Sequence, residues 1–385
     1  MSRTPLIVSI LILCACCATD AQELPPGQTI DVVPCQADRN QSYALYIPSG
    51  YTPDKAWPLL LAFDARALGD VPVKRYQQAA EKFGYIVAGS NNSRNGPVAP
   101  EYAAAKAMEA DVTARFSIDP KRIYLAGQSG GARLALDLAI QARGRIAGVI
   151  ASSAGLPPSM GVDVELPFVV FGTAGTEDFN YLELTRLDRN VATPHRVRIF
   201  PGGHTWLPGE LAMEALEWME VQAMRTGTRP RDEAMIDSML TARTKELADA
   251  PGKAEAYYVN FSIATEFEGL KDVSAYVQAE ARMAADESVV EAVRRQVMAD
   301  LAENQMEVRT RNLMDQLDDP PERNNSLNEL RTTLTRIATE AHAPEDSEMR
   351  QRARRILNDT ISYNNARPGG RQDAGYMKLL DALKP

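Results

Sequence analysis

The chain has 385 residues, more than one ordinary domain needs, so a domain of roughly 200 to 250 residues with a second unit behind it is expected. Hydrophobic residues make up 45% and charged residues 24%, with 24 Gly and 24 Pro, which excludes collagen-like, wholly disordered and multi-pass membrane chains. The net charge of −9 divides into −2 on residues 1–230 and −7 on residues 231–385, and no basic block runs along the chain, so nucleic acid is not an expected partner.

Residues 1–21 read as an export signal: Arg3, the apolar run from Leu6 to Leu13, small residues through Ala18, and Thr19-Asp20-Ala21 before Gln22. The run is too short for a membrane anchor. Cys14, Cys16 and Cys17 lie inside it, so cleavage leaves Cys35 alone and no internal disulfide. The expected location is the periplasm or the cell exterior. Leu13-Cys14-Ala15-Cys16 also loosely resembles a bacterial lipoprotein box, with Cys in an unusual second position. Lipidation at Cys16 is the one route to a membrane partner, and mass spectrometry of the mature N-terminus distinguishes it.

From Thr29 to about Thr226, β-rich apolar runs alternate with helical patterns, the signature of a mostly parallel sheet flanked by helices. Strand candidates are Thr29 to Val33, Ser42 to Ile47, Pro58 to Phe63, Tyr85 to Ala88, Ile123 to Ala126, Gly148 to Ser152, Phe168 to Phe171 and Val197 to Phe200. Helical patterns fall at Val73 to Phe83, Pro100 to Phe116, Gly130 to Gln141, Asn180 to Arg189 and Pro208 to Met224, with Asp119-Pro120 read as a turn before the fifth strand. The Pro/Gly-rich link from Ser153 to Pro167 leaves no room for a large helical lid, so a shallow, open site is expected.

After Thr226-Gly227-Thr228-Arg229-Pro230 the apolar positions recur at helical spacing. About seven helices are expected, broken near Pro251-Gly252, Asp286, Pro320-Pro321, Pro344 and Pro368-Gly369-Gly370. Ala256-Tyr257-Tyr258 with Gly269-Leu270 and Ala275 faintly resembles a tetratricopeptide helix pair, but no fixed period runs through the region. The division expected is residues 22–229 and an all-α domain at 230–385. The second unit is expected to make no chemical contribution and to suit a protein partner, so that a chain ending near Arg229 folds and stays active.

Chemistry concentrates in Leu125-Ala126-Gly127-Gln128-Ser129-Gly130-Gly131-Ala132. A strand before and a helix after place Gly-x-Ser-x-Gly in the context of a nucleophile elbow, where glycines admit a strained turn that lifts the serine above the sheet. Serine needs a general base, and the chain has three histidines. His204 follows the last strand on the edge that carries Ser129. His195 falls at the opposite edge, and His342 lies in the helical unit. The orienting acid should fall between serine and histidine, which leaves Asp178, preferred, or Glu177 in the loop Gly172 to Asn180. A free imidazole titrates at about pH 6.5, so activity is expected to rise through one acidic limb around neutrality.

These three segments resemble secreted α/β-hydrolase esterases of the polyhydroxybutyrate depolymerase and feruloyl esterase type, over roughly Ser42 to Thr226. The resemblance implies an α/β-hydrolase sheet, mostly parallel and of about eight strands, that hydrolyses carboxylic esters through an acyl-enzyme. One departure stands out. Where such enzymes commonly carry His-Gly after the third strand, this chain has Phe63-Asp64-Ala65-Arg66-Ala67-Leu68-Gly69. Gly130 should supply one oxyanion N–H and Arg66 or Ala65 the other, with Asp64 unfavourable there unless turned away or paired.

Arg94 and Asn92, in the polar loop Ser90 to Pro97, and Trp206 beside His204 are candidate substrate contacts, the alternatives being turn hydrogen bonding and packing. No cofactor is expected: the histidines and Cys35 lack ligand spacing, and Gly127 to Gly131 lacks the Lys of a P-loop. A peptidase of the same fold and a non-catalytic platform for a protein-binding helical domain are the alternative readings.

Overall fold

A computed structural model describes residues 24–367; the expected export signal at 1–21, the lipidation considered at Cys16 and the break expected at Pro368-Gly369-Gly370 lie outside the described residues. Eight strands form one sheet: β1 (Thr29–Pro34), β2 (Ser42–Tyr46), β3 (Trp57–Asp64), β4 (Ile86–Ser90), β5 (Ile118–Gln128), β6 (Gly148–Ser152), β7 (Val169–Gly175) and β8 (His195–Phe200). Their order is β1-β2-β4-β3-β5-β6-β7-β8. β2 runs antiparallel to β1 and β4, and every other pairing is parallel. This is the sheet of an α/β-hydrolase.

Helices α1 (Asp70–Phe83), α2 (Val98–Arg115), α3 (Gly130–Gln141), α4 (Tyr181–Asn190) and α5 (Gly209–Arg225) fill the crossovers. Strand β3 shows why both faces are covered. Leu59, Leu61 and Phe63 pack with Met108 and Val112 of α2 and Ala135 of α3, whereas Leu60 and Ala62 pack with Tyr76 of α1 and Leu216 of α5. A strand buried on both faces reads as a continuous apolar run. The turn expected at Asp119-Pro120 is instead a bulge within β5: the pairing jumps from Trp57 with Ile118 to Leu59 with Ile123. Asp119 Oδ1 accepts the Lys121 N–H at 2.9 Å. Proline has no N–H for a ladder, and a bulge demands none.

Six further helices follow among the described residues: α6 (Glu233–Ala248), α7 (Lys253–Phe267), α8 (Ser274–Ala285), α9 (Glu287–Asp315), α10 (Arg323–Ala341) and α11 (Glu348–Ala366). Side chains of Asp232, Asp286 and Ser347 cap the N-termini of α6, α9 and α11. Pro251, Pro320, Pro321 and Pro344 all fall in the breaks. The six helices split into two groups. Ile236 and Met239 of α6, and Ile263 and Phe267 of α7, share one apolar cluster with α1, α5 and the sheet, and Tyr276 of α8 packs against it. Helices α9, α10 and α11 build a cluster of their own around Met314, Leu330, Leu334 and Leu357.

The second group carries a buried carboxyl. Glu307 of α9 is pushed up to about 8, first by burial and then by the neighbouring charges of Asp359 and Glu303. Its Oε1 has no hydrogen-bond partner among the described residues. Because the folded form favours the protonated acid, its contribution to stability is intact below the ordinary carboxyl range and is lost as pH climbs toward about 8. Thermal unfolding is therefore expected to ease as pH rises from 5 to 8, by on the order of 1 kcal/mol per pH unit at most, and to level off above that. Glu307→Gln should flatten the profile; an unchanged slope in the variant would place the pH sensitivity elsewhere.

Candidate active site

Strand β5 ends at Gln128, and the next residue turns sharply. Ser129 has φ +57° and ψ −123°, a region that residues other than glycine rarely occupy, and α3 starts immediately after it. Its carbonyl accepts the N–H groups of Ala132 and Arg133, and its own N–H donates to Ser152 O at 2.9 Å. A Cβ at Gly127 would collide with the backbone of Gly131, and one at Gly131 with Phe63 O. The close crossing of β3, β5 and α3 thus fixes the turn.

Asp178 lies in the loop after β7 and His204 in the loop after β8, both on the sheet edge that carries Ser129. His204 Nδ1 is 2.8 Å from Asp178 Oδ1. Asp178 is fully buried, while the His204 side chain keeps 20% of its surface exposed. The same Oδ1 accepts the Asn180 N–H at 2.8 Å; Oδ2 is buried with no partner among the described residues. Oδ1 therefore takes both donors and sets the angle at which the carboxylate meets the ring. Phe179 stacks on the imidazole, with centroids 4.0 Å apart and planes 23° apart. Glu177 is turned away, and its Oε1 meets Arg354 Nη1 at 2.5 Å.

One residue ties the three segments together. Ser153, buried with φ +58°, donates its N–H to Thr173 O at 2.7 Å. Its hydroxyl donates to Thr205 O at 2.9 Å and its carbonyl accepts Asn180 Nδ2–H at 2.7 Å. It thereby links the end of β6 to the residues that flank both His204 and Asp178. Neither Ser153 nor Phe179 emerges from the sequence reading; a polar Ser152-Ser153 pair ending an apolar strand was the available signal.

Asp64, the departure after β3, is fully buried and paired. Its Oδ2 accepts Trp206 Nε1–H at 2.8 Å and its Oδ1 accepts the Arg66 N–H at 2.8 Å. The charge is turned into the protein, toward donors. Trp206 is 4% exposed and sets its ring edge-on to Tyr76 at 6.4 Å. It packs into the cluster beneath the histidine loop, as the packing alternative expects. Asn92 is tied down as well, its Oδ1 accepting the Ser42 N–H at 2.8 Å and its Nδ2 donating to Asn40 O at 3.1 Å. Arg94 is exposed and pairs through its backbone with Arg66.

Asn95, next in that loop, occupies the position that matters. Its N–H donates to Ala65 O at 2.9 Å, and its side chain lies so close over Gly130 that any Cβ there would strike it. It bridges the two segments expected to hold an oxyanion. From Asn95 and Gly130 a cleft of about 540 Å³ runs between Tyr102 of α2, Leu134 and Ile140 of α3, and Leu156 and Pro157. Its one cation among the described residues is already engaged: Arg133 pairs with Glu183 at 2.5 Å, and Glu183 also accepts the Gly155 N–H at 3.0 Å. Glu101 accepts the Gly96 N–H at 2.7 Å, and burial pushes its carboxyl above the usual range.

The other histidines are occupied structurally. His195 is buried between the carbonyls of Thr193 and Asp188, at 2.8 and 2.9 Å, and His342 Nδ1 faces Ala338 O at the end of α10.

No family model matches the chain, and no curated protein matches it in sequence. Solved structures similar to part of it include the fluorophosphonate-binding serine hydrolase F of Staphylococcus aureus in its substrate-bound form, 16% identical, covering 50% of this chain and 98% of its own at a TM-score of 0.40. A hyperthermophilic esterase from the archaeon Pyrobaculum calidifontis is 14% identical, covering 52% of this chain and 87% of its own, also at 0.40. Est1E from Butyrivibrio proteoclasticus, with ferulic acid bound, is 13% identical and covers 48% of this chain and 95% of its own, at 0.36. By its own strand order and its strained serine turn, the chain is a protein of the α/β-hydrolase fold.

Proposed function

We propose that the protein is an exported serine esterase that cleaves carboxylic esters through an acyl-enzyme. The observation that carries this reading is the buried Asp178–His204 hydrogen bond at the sheet edge where Ser129 holds a strained, positive φ. Ser129 Oγ attacks the ester carbonyl while His204 Nε2 takes its proton. With Nδ1–H donated to Asp178, the imidazole is held in the tautomer that leaves Nε2 able to accept. The charged imidazolium then returns the proton to the departing alcohol, and water repeats the sequence on the acyl-enzyme. Asp178 orients the ring and takes no proton from it.

The oxyanion that forms needs two backbone donors. Gly130 N–H is one. Since the Arg66 N–H is already given to Asp64, Ala65 is the donor assigned to the β3 segment, with Asn95 holding that segment against Gly130. Reaction of Ser129 with a fluorophosphonate probe, followed by hydrolysis of an ester panel beside a peptide panel, tests the reading. A protein that takes no label refutes it, and turnover of peptides alone replaces esterase by peptidase.

The largely apolar cleft beside Gly130, whose cation Arg133 is paired with Glu183, suits the larger half of an uncharged ester. Leu156→Trp, which fills it, is expected to raise KM about tenfold for esters with a bulky apolar group. Acetyl esters of small alcohols should be hydrolysed as before. Equal loss on both substrate classes would separate the cleft from substrate binding.

A further inference from the structure

Helix α11 reaches across the molecule to the segment that carries Asp178. Arg355 Nη1–H donates to Thr176 O at 2.9 Å, Asn358 Nδ2–H donates to Glu177 O at 2.9 Å, and Arg354 Nη1 meets Glu177 Oε1 at 2.5 Å. The two residues before the acid thus give both backbone carbonyls and one side chain to a single helix face, since positions 354, 355 and 358 lie within one turn.

Arg355 is itself immobilised. Its side chain is 2% exposed and forms a two-pronged pair with Glu303 of α9, Nε to Oε1 at 2.6 Å and Nη2 to Oε2 at 2.7 Å. The guanidinium also lies 4.0 Å over the ring of Tyr181, the first residue of α4. A planar fork can satisfy a carboxylate, a carbonyl and an aromatic face together, as an ammonium cannot. Arg352 adds a further contact to Glu303 at 3.0 Å. A second tie lies nearby, where Arg189 of α4 pairs with Asp300 of α9 at 2.6 Å.

The other side of the acid segment is tied to the histidine loop: Thr176 N–H donates to Phe200 O at 2.9 Å and Glu177 N–H to Gly202 O at 2.8 Å. Residues 176 and 177 therefore sit in a vice, with the strand leading to His204 on one side and α11 on the other. The residue released from the vice is Asp178.

We infer that Arg355, Asn358 and Arg354 are positioning residues for the reaction, setting the carboxylate of Asp178 against His204 from a helix that makes no contact with substrate. The inference rests on Asp178 being the orienting acid of the proposed esterase. It gives α9 and α11 a part in catalysis that their distance in sequence conceals.

Asn358→Ala removes one hydrogen bond at a half-buried site and is expected to lower kcat about tenfold with KM unchanged, since displacements below an ångström already matter to a catalytic constellation. The decisive comparison is a double-mutant cycle. In an Asp178→Asn background, Asn358→Ala should lower kcat by no more than about twofold further, because it acts through a carboxylate that is already gone. Its effect on thermal stability should be the same in both backgrounds. Equal losses of kcat in the two backgrounds, or an unaltered kcat in the single variant, would overturn the inference. Should Asn358→Ala fail to fold, Arg354→Gln carries the same comparison.

Labelling keeps the two readings apart. A wild-type protein that takes no fluorophosphonate ends the esterase reading, yet the downfield proton resonance of His204 Nδ1–H still reports whether Asp178 is held. That resonance should broaden or vanish in Asn358→Ala. Its persistence unchanged would refute the positioning role whatever the activity.

Discussion

Ser129→Ala and His204→Ala are each expected to lower ester hydrolysis by similar factors, on the order of 10⁵ to 10⁶, because the two residues serve one proton transfer and neither is useful alone. What survives should come from the oxyanion donors and from binding. Asp178→Asn is expected to cost less, about 10⁴, since the amide offers an N–H where Nδ1 needs an acceptor. Glu177→Gln should cost far less, about the tenfold expected of Asn358→Ala, since its carboxylate points at Arg354 and its loss breaks only that one tie to α11. Steady-state rates on one soluble ester decide the matter. A severe Glu177→Gln beside a mild Asp178→Asn would reassign the acid.

A chain ending at Arg229 is expected to fail to fold rather than to survive as a minimal hydrolase. The apolar cluster behind the sheet does not close at α5: Ile236, Ile263 and Phe267 are fully buried in it, and Met239 and Leu270 nearly so. At about 1.5–3 kcal/mol for each buried side chain, these five residues weigh as much as the net stability of about 5–15 kcal/mol of an ordinary domain. The polar seam fails with them. Arg196 would lose Glu246, at 3.1 Å, and Gln222 Nε2 would lose Glu266 O, at 3.2 Å. Circular dichroism and solubility of the shortened chain check this; a soluble, cooperatively unfolding product would show that the sheet closes without α6 and α7.

The elements of the sheet were legible because each rests on local pattern. β6 and α3 fall on the residues that apolar run length and the glycine turn indicate, and Ser129, Asp178 and His204 all lie at strand ends on one edge. The misreadings come from partners distant in sequence. Trp206 looks like a substrate wall until Asp64, 142 residues away, is found to hold its indole N–H. Asn92 looks free until Ser42 and Asn40 use both ends of its amide. Asp119-Pro120 has the composition of a turn, and only the pairing of β5 with β3 makes it a bulge. Similarly, the shift in composition at residue 230 marks the end of the β-rich layer, while the side chains beyond it fill the same core. Nothing local to Arg355 or Asn358 points to Thr176 and Glu177.

The span of those tethers bears on how the protein comes into being. Arg355 and the carbonyl it grips are 179 residues apart, so the acid loop meets the helix that holds it only once nearly all of the described chain is available to fold. Until then the acid loop has only the histidine strand to lean on. On the proposed esterase reading, hydrolysis at full rate waits for α11 to dock, because until then the acid is not held in place.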